Sequence, residues 1–458
     1  MARSARSLPA YDAFANRFSG TLLHPDDAAY EEARTLHNAM IETRPALVAQ
    51  CANPADITAA ISFGLDAGFE LAVRAGGHSV AGMSSTEGVV IDVRPMKEIT
   101  ITPGTRTARV GAGVTWGEFD RAAQEHGLAT TGGRVSTTGV AGFALGGGSG
   151  WIERKYGLTC DNLRAVEFVL ANGDHVRASA EENTDLFWAS RGGGGNFGVA
   201  TAFEFDMHPI GPIVHAGLML WPAASGPDVA HAFRDFAEAA PEDFGSGLVN
   251  LTGPPEEFVP PELQGQLLCA LAICYFGPLD QGEALLAPLR ALSPAVDLVQ
   301  PMPYADFQCM IDDPPGLRNY WSASYLTGLP DDAIATFLKA SSDMRSPIAQ
   351  NLLLPWGGAV SRATDADTPM AQRDATWIYH PFATWESPAD DATNIAWARE
   401  AIADMNKFAT DGVYLNFIGD EGADRIEAAY GASYPRLREI KRRYDPDNVF
   451  HRNQNIKP

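Results

Sequence analysis

The amino-acid sequence predicts an α+β fold, because its strand and helix signals are mixed without the regular alternation that a doubly wound sheet requires. Three stretches carry that reading. Asn53-Pro54 reads as an N-cap with proline in the first turn, and Ile57, Ile61 and Leu65 then share one face until Gly68, which predicts a helix over about 54–67. Leu71-Ala72-Val73 follows as a short buried strand, broken by Arg74-Ala75-Gly76-Gly77-His78-Ser79, and Gly88 to Val93 reads as another strand. Val166 to Leu170 and His175-Val176 flank Asn172-Gly173, the pattern of a hairpin around a tight turn.

At 458 residues the chain exceeds the length at which one core stops growing, so two domains are expected. From about residue 211 the texture changes: proline becomes frequent, glycine clusters largely vanish, and aromatics gather at Tyr320-Trp321, Trp356 and Trp377 to Trp385. The tail carries Tyr414-Leu415-Asn416-Phe417 and a helix from Tyr434 to Arg443, ended by Asp445-Pro446. The expected division is 1–210, 211–410 and 411–458, with no internal repeat.

Lys and Arg number 34 against 57 Asp and Glu, a formal net charge of −23. That balance disfavours nucleic acid and anionic membranes, which are bound chiefly by exposed cations. Five cysteines at loose spacing (Cys51, Cys160, Cys269, Cys274, Cys309) indicate neither a disulfide framework nor a metal site. Residues 1–9 carry charge without an apolar run behind it, and nowhere do about 18 apolar residues follow one another. These features lead to the expectation of a cytoplasmic protein, monomer or homo-oligomer, acting on a small molecule.

Three glycine clusters, Arg74 to Ser79, Gly139 to Gly150 and Gly192 to Gly198, are suited to close backbone approach to a ligand and to anion-binding concavities. They can equally be tight turns. Neither a dinucleotide Gly-x-Gly-x-x-Gly unit nor a phosphate loop ending in Gly-Lys-Ser/Thr is present. His78, placed straight after two glycines, has an unobstructed approach to a planar ligand, and a neutral imidazole nitrogen is nucleophilic near pH 7.

Seven ordered motifs resemble the FAD-linked oxidases of the berberine-bridge-enzyme type. They are Arg74 to Ser79; Thr137-Thr138-Gly139-Val140-Ala141-Gly142 to Gly148; Arg154 to Leu158 with Asp161-Asn162; Asp185 to Trp188; Arg191 to Val199; Tyr414-x-Asn416; and Tyr444-Asp445-Pro446 to Gln454-x-Ile456. The resemblance implies the vanillyl-alcohol-oxidase-type fold, with an FAD domain built from both chain ends and an inserted substrate domain of a sheet with helices. It implies FAD bonded covalently to His78. It places Arg74, Ala75, Gly76, Gly77, Ser79, Gly82, Val135, Thr137, Thr138, Gly139, Gly142, Phe143, Gly146, Gly147, Asp161, Gly198, Val199, Tyr414 and Asn416 around the cofactor.

Departures narrow the chemistry. Many relatives add a cysteinyl bond to the flavin from the position of Val135, so a single tether is expected here. Ser149 stands where relatives often have tyrosine, and Leu352-Leu353-Leu354-Pro355-Trp356 carries no carboxylate where some members have an acidic base. Tyr414 is then the leading expected base, with Tyr379 and His380 as further substrate contacts. In the family the residue matched by Thr138 helps control oxygen access, and its valine-like shape here implies O2 as acceptor and an oxidase over a dehydrogenase. The apolar run at Leu352 favours an aromatic or alcohol donor from secondary metabolism over a carbohydrate. A flavin-binding protein without turnover is the alternative from another class.

Overall fold

The computed structural model describes residues 5–419 and 422–458, and in it helices and strands follow one another without regular alternation. Residues 1–4, part of the stretch read as lacking an apolar run, lie outside the described residues. Among the described residues there are four sheets, three large ones and a two-stranded ribbon of Leu128–Ala129 with His208–Pro209. In the first, Leu47–Gln50 and Leu71–Arg74 both pair in parallel with Val89–Asp92, and Thr21–Leu23 adds an antiparallel edge. Parallel pairing needs a crossover. The predicted helix supplies it as Pro54–Asp66, capped by Asn53 Oδ1, which accepts the Asp56 N–H at 3.1 Å. Ile57 and Ile61 are buried as the periodicity requires, but Leu65 is 43% exposed. At the last turn it is Gly64 that lies against the sheet, so close that a Cβ there would come 2.4 Å from the Leu71 side chain.

The second sheet is antiparallel, in the order Ile99–Thr102, Thr107–Gly111, Val199–Asp206, Leu163–Val169, His175–Ser179. The predicted hairpin is its last pair, with Val169 opposite His175 and Gly173 at φ +87° in the turn.

The third sheet has nine strands drawn from residues between Ile213 and Trp385, and its pairings are antiparallel. Helices Gly226–Ala239, Leu279–Arg290, Asp331–Ser342 and Asp391–Met405 cover one face, burying Phe233, Leu286, Phe337 and Met405 against it. Side chains alternate across a strand. Leu248, Leu271 and Leu353 therefore join that helical layer, while their neighbours Val249, Ala270 and Leu352 face the opposite way.

The helix expected at Tyr434 is Tyr434–Tyr444. From it Lys441, fully buried, donates to Asp445 at 2.6 Å, to Asn196 O at 2.7 Å and to Phe450 O at 2.9 Å. Asp445 also accepts the N–H groups of Val449 and Phe450. The conspicuous Tyr-Asp-Pro-x-Asn-Val-Phe motif is thus a buried ionic knot that fixes the path of the tail. Among the described residues no helix is long and apolar enough to cross a membrane, no group of three or more His, Cys, Asp or Glu could hold a metal, and the five cysteines are free.

Candidate functional site

The bare face of the nine-stranded sheet and the glycine loops enclose a cavity of about 420 Å³, within the range of small-molecule sites. Its walls come from the turn after Leu71–Arg74, the segment 133–151, the glycines 194–198, the sheet, and the tail segments 415–418 and 450–454. Two glycine loops meet backbone to backbone at its base. A Cβ on Gly76 would come 2.2 Å from Gly139 N, and one on Gly139 would come 2.3 Å from Gly76 N. Only paired glycines permit this contact, and it brings the His78 turn beside Thr137 and Thr138.

His78 lines the cavity. Its Nε2 is 2.9 Å from Thr137 Oγ1 and its Nδ1 is 3.4 Å from Thr138 Oγ1. The ring stacks on His37 with centroids 4.0 Å apart and planes 17° from parallel. Burial, and secondarily the neighbouring His37, push the His78 pKa down to about 3. The imidazole is therefore neutral at pH 7, the form in which a ring nitrogen has a lone pair to give.

Of the expected cofactor contacts, Ala75, Gly76, Gly77, Ser79, Val135, Thr138, Gly139, Gly142, Phe143, Gly146, Gly198 and Asn416 line the cavity with His78. At Gly142 and Gly195 a Cβ would meet no atom within 4 Å. Asn416 packs on Gly146 and donates to Phe143 O at 3.1 Å, tying the tail to the second glycine loop. Other expected contacts support the wall from behind. Arg74 donates to Ala33 O and Thr35 O, Thr137 holds His78, and Gly82 gives its carbonyl to Arg452. Gly147 and Val199 are also outside the lining. Asp161 is spent differently: its carboxylate takes two hydrogen bonds from Arg373, at 2.7 and 2.9 Å, and one from the Leu158 N–H.

The expected substrate contacts separate sharply. In the register, Leu352 lies opposite His380 and Leu353 opposite Tyr379, so the two neighbours face opposite sides. His380 opens on the cavity with Leu352 and Phe382, whereas Tyr379 is buried in the helical layer, edge-on to Phe337. Tyr379 is thereby corrected from a substrate contact to a core residue. Tyr414 is corrected likewise. It is fully buried outside the lining, and its hydroxyl accepts the Gly148 N–H at 2.8 Å and an Asn416 N–H at 3.1 Å. Burial raises its pKa further, which opposes a role as base. Tyr414→Phe is expected to lower stability by about 1–3 kcal/mol, the cost of stranding the buried Gly148 N–H. Flavin reduction in stopped flow should stay near the wild-type rate. A 10²-fold slower reduction at unchanged melting temperature would restore Tyr414 to the chemistry.

His380 stacks on Phe417 with centroids 4.4 Å apart, and Nδ1 lies 2.8 Å from Ser322 O. A carbonyl can only accept, so Nδ1 carries the proton and Nε2 is left as an acceptor. Burial lowers the His380 pKa to about 4, keeping the ring neutral. Further polar groups on the wall escaped the sequence reading, among them Arg134, Gln350, Asp313 and Arg452. Arg134 reaches the Ser149 hydroxyl at 3.0 Å and Glu153 at 3.4 Å, and its guanidinium lies over the Trp151 ring. Asp313 sits in an Asp-Asp-Pro-Pro-Gly turn with no local signal beyond that of a loop.

Known proteins resemble the chain over nearly its whole length. Residues 45–179 match the family described as FAD binding domain, and 413–457 match the family described as berberine and berberine like. An uncharacterized FAD-linked oxidoreductase of Bacillus subtilis is 30% identical over 456 residues, covering 96% of this chain and 98% of the relative. The (R)-6-hydroxynicotine oxidase of Paenarthrobacter nicotinovorans is 29% identical over 461 residues, covering 96% and 97%. Among solved structures, 6-hydroxy-D-nicotine oxidase from Arthrobacter nicotinovorans superposes with a TM-score of 0.86 at 27% identity, over 96% of this chain and 98% of that one. A berberine-bridge-enzyme-like protein of Physcomitrella patens shares the fold at a TM-score of 0.86 and 23% identity, over 98% and 99%. Family matches at both ends of the chain and a relative 30% identical over nearly the whole of it show the family: the chain belongs to the berberine-bridge-enzyme-like FAD-linked oxidoreductases, of the vanillyl-alcohol-oxidase type.

Proposed function

We propose that this enzyme holds FAD through one covalent bond to His78 and oxidises a small, largely apolar or aromatic donor lying between the flavin and the nine-stranded sheet. In this reading residues 1–210 and 411–458 form the cofactor domain and 211–410 the substrate domain. The observation that carries it is the neutral His78 ring on a cavity wall whose glycines, Gly142 and Gly195, leave open space where a Cβ would stand. Such a cradle fits a large flat ligand. Val135, on the same wall, offers no second sulfur tether. Bound FAD supplies the acceptor for a hydride from the donor carbon.

The protein's own part is binding, orientation and the proton. Val249, Leu251, Ala270 and Leu352 make the sheet wall apolar, which excludes water and suits rings better than sugars. His380, anchored through Nδ1 to Ser322 O, presents Nε2 to take a proton or hydrogen bond from the donor's hydroxyl or amine. The test is anaerobic: an aromatic alcohol or amine should bleach the bound flavin. Absence of bleaching by any donor in a broad screen would leave only a flavin-binding protein.

Reoxidation by O2, giving H2O2, is part of the same proposal. Thr138 lines the cavity beside His78, where a small β-branched side chain leaves room for a diatomic molecule. Thr138→Leu is expected to slow reoxidation by air at least tenfold while anaerobic reduction stays within about twofold of wild type. Equal slowing of both half-reactions would remove Thr138 from oxygen access.

A further inference from the structure

Asp313 is the charged group on the cavity wall that the fold does not explain. It stands between the helix Tyr304–Phe307 and the strand Arg318–Trp321. Its neighbour Asp312 pins the loop by accepting the Ser136 N–H at 2.6 Å and the Ser136 hydroxyl. Ser136 lies between Val135 and Thr137, so the pin holds Asp313 against the segment that contacts His78. The other charged side chains on the wall are engaged. Arg134 pairs with Glu153, and Arg452 donates to Ser85 O at 2.9 Å with Glu70 3.9 Å away. For Asp313 no hydrogen bond or ion pair occurs among the described residues. A half-buried carboxylate left without a partner in a largely apolar cavity favours a ligand that brings a cation or donor to it.

The surrounding wall suits a ring. Trp321 stacks on Phe382 with centroids 4.5 Å apart, and His380 stacks on Phe417. We propose that Asp313 docks a protonated amine on the substrate, so that this cavity selects a cationic aromatic amine over a neutral alcohol or a sugar. The inference rests on reading the cavity as the substrate site and adds a residue and a ligand charge to it.

Burial and the adjacent Asp312 push the Asp313 pKa up to about 6. The groups facing the cavity from other elements are His78 and His380, neutral above about pH 4, and the cations Arg134 and Arg452. Asp313 is therefore the wall group that changes charge between pH 5 and 8. Affinity for an ammonium should rise as pH climbs through about 6 and persist until the amine loses its own proton, near pH 10 for an aliphatic amine.

The experiment measures dissociation constants of benzylamine, benzyl alcohol and benzoate on the flavin-loaded protein under anaerobic conditions, by tryptophan fluorescence, from pH 5 to 8.5. At pH 8 the cation should bind about tenfold or more tighter than the alcohol, and benzoate weakest. The gap should close toward pH 5, vanish in Asp313→Asn and survive in Asp313→Glu. Equal affinities for cation and alcohol across the range, or a preference that outlives Asp313→Asn, would overturn the proposal. Should Asp313→Asn fail to load flavin, the wild-type pH titration and Asp313→Glu still decide. A pH- and Asp313-dependent cation preference without bleaching by any donor would sink the oxidase reading and leave the cation site standing.

Discussion

Replacing His78 with alanine is expected to convert a flavin that stays with the acid-precipitated protein into one released quantitatively to the supernatant. His78 is a neutral imidazole on the cavity wall beside the glycine loops, and alanine removes at once its lone pair, its contact with Thr137 and its stack on His37. Mass spectrometry of the wild type should find the flavin mass on the peptide containing His78 and nowhere else. The variant should fold, because the backbone contact between Gly76 and Gly139 does not involve the imidazole. It should nevertheless melt earlier once flavin is stripped, since a ligand present at about a thousand times its Kd contributes about 4 kcal/mol. Quantitative release of flavin from the wild type, or an adduct that persists in His78→Ala, would mean that the tether is elsewhere or absent.

Lys441→Met should produce the largest loss of stability. The ammonium makes three hydrogen bonds at zero exposure, and its removal leaves Asp445 as a buried, uncompensated charge. Breaking such a pair costs about 3–5 kcal/mol. The effect should reach the site, because the knot directs the segment 450–454 whose residues line the cavity. Flavin content per mole of protein should therefore fall along with the urea midpoint. The double replacement Lys441→Met, Asp445→Leu should recover part of the loss, since it abolishes the orphan charge. A midpoint shift no greater than that of an exposed control, Lys97→Met, would show that the pair contributes little.

Local signals were legible where the physics is local. Asn53-Pro54 starts its helix and Asn172-Gly173 turns its hairpin, because capping and positive φ are decided within a few residues. The glycine pair ahead of His78 likewise announced a close approach, though not that Gly139 is the other party to it. Tyr379 and His380 show where such reading stops. Adjacent residues in a strand face opposite ways, and which one faces a cavity depends on register with Gln350–Pro355, a long-range property. Tyr414 failed for a related reason: its hydroxyl was already committed to Gly148, 266 positions away. Asp313 escaped because a turn-forming run says nothing about what a loop overhangs; only the bond from Asp312 to Ser136 reveals it.

The contact between Gly76 and Gly139 divides the cavity's positions for anyone wishing to redesign it. A side chain added at either would collide with the other's main chain, not with a side chain, so no second substitution nearby can compensate for the first. A combinatorial library that includes these two codons spends its diversity on unfolded protein. Gly142 and Gly195 also line the cavity, yet a Cβ at either has room. Alanine or serine at Gly142 or Gly195 therefore leaves the scaffold intact but intrudes on the space assigned to the flavin, so these two positions grade cofactor loading where the other two abolish folding.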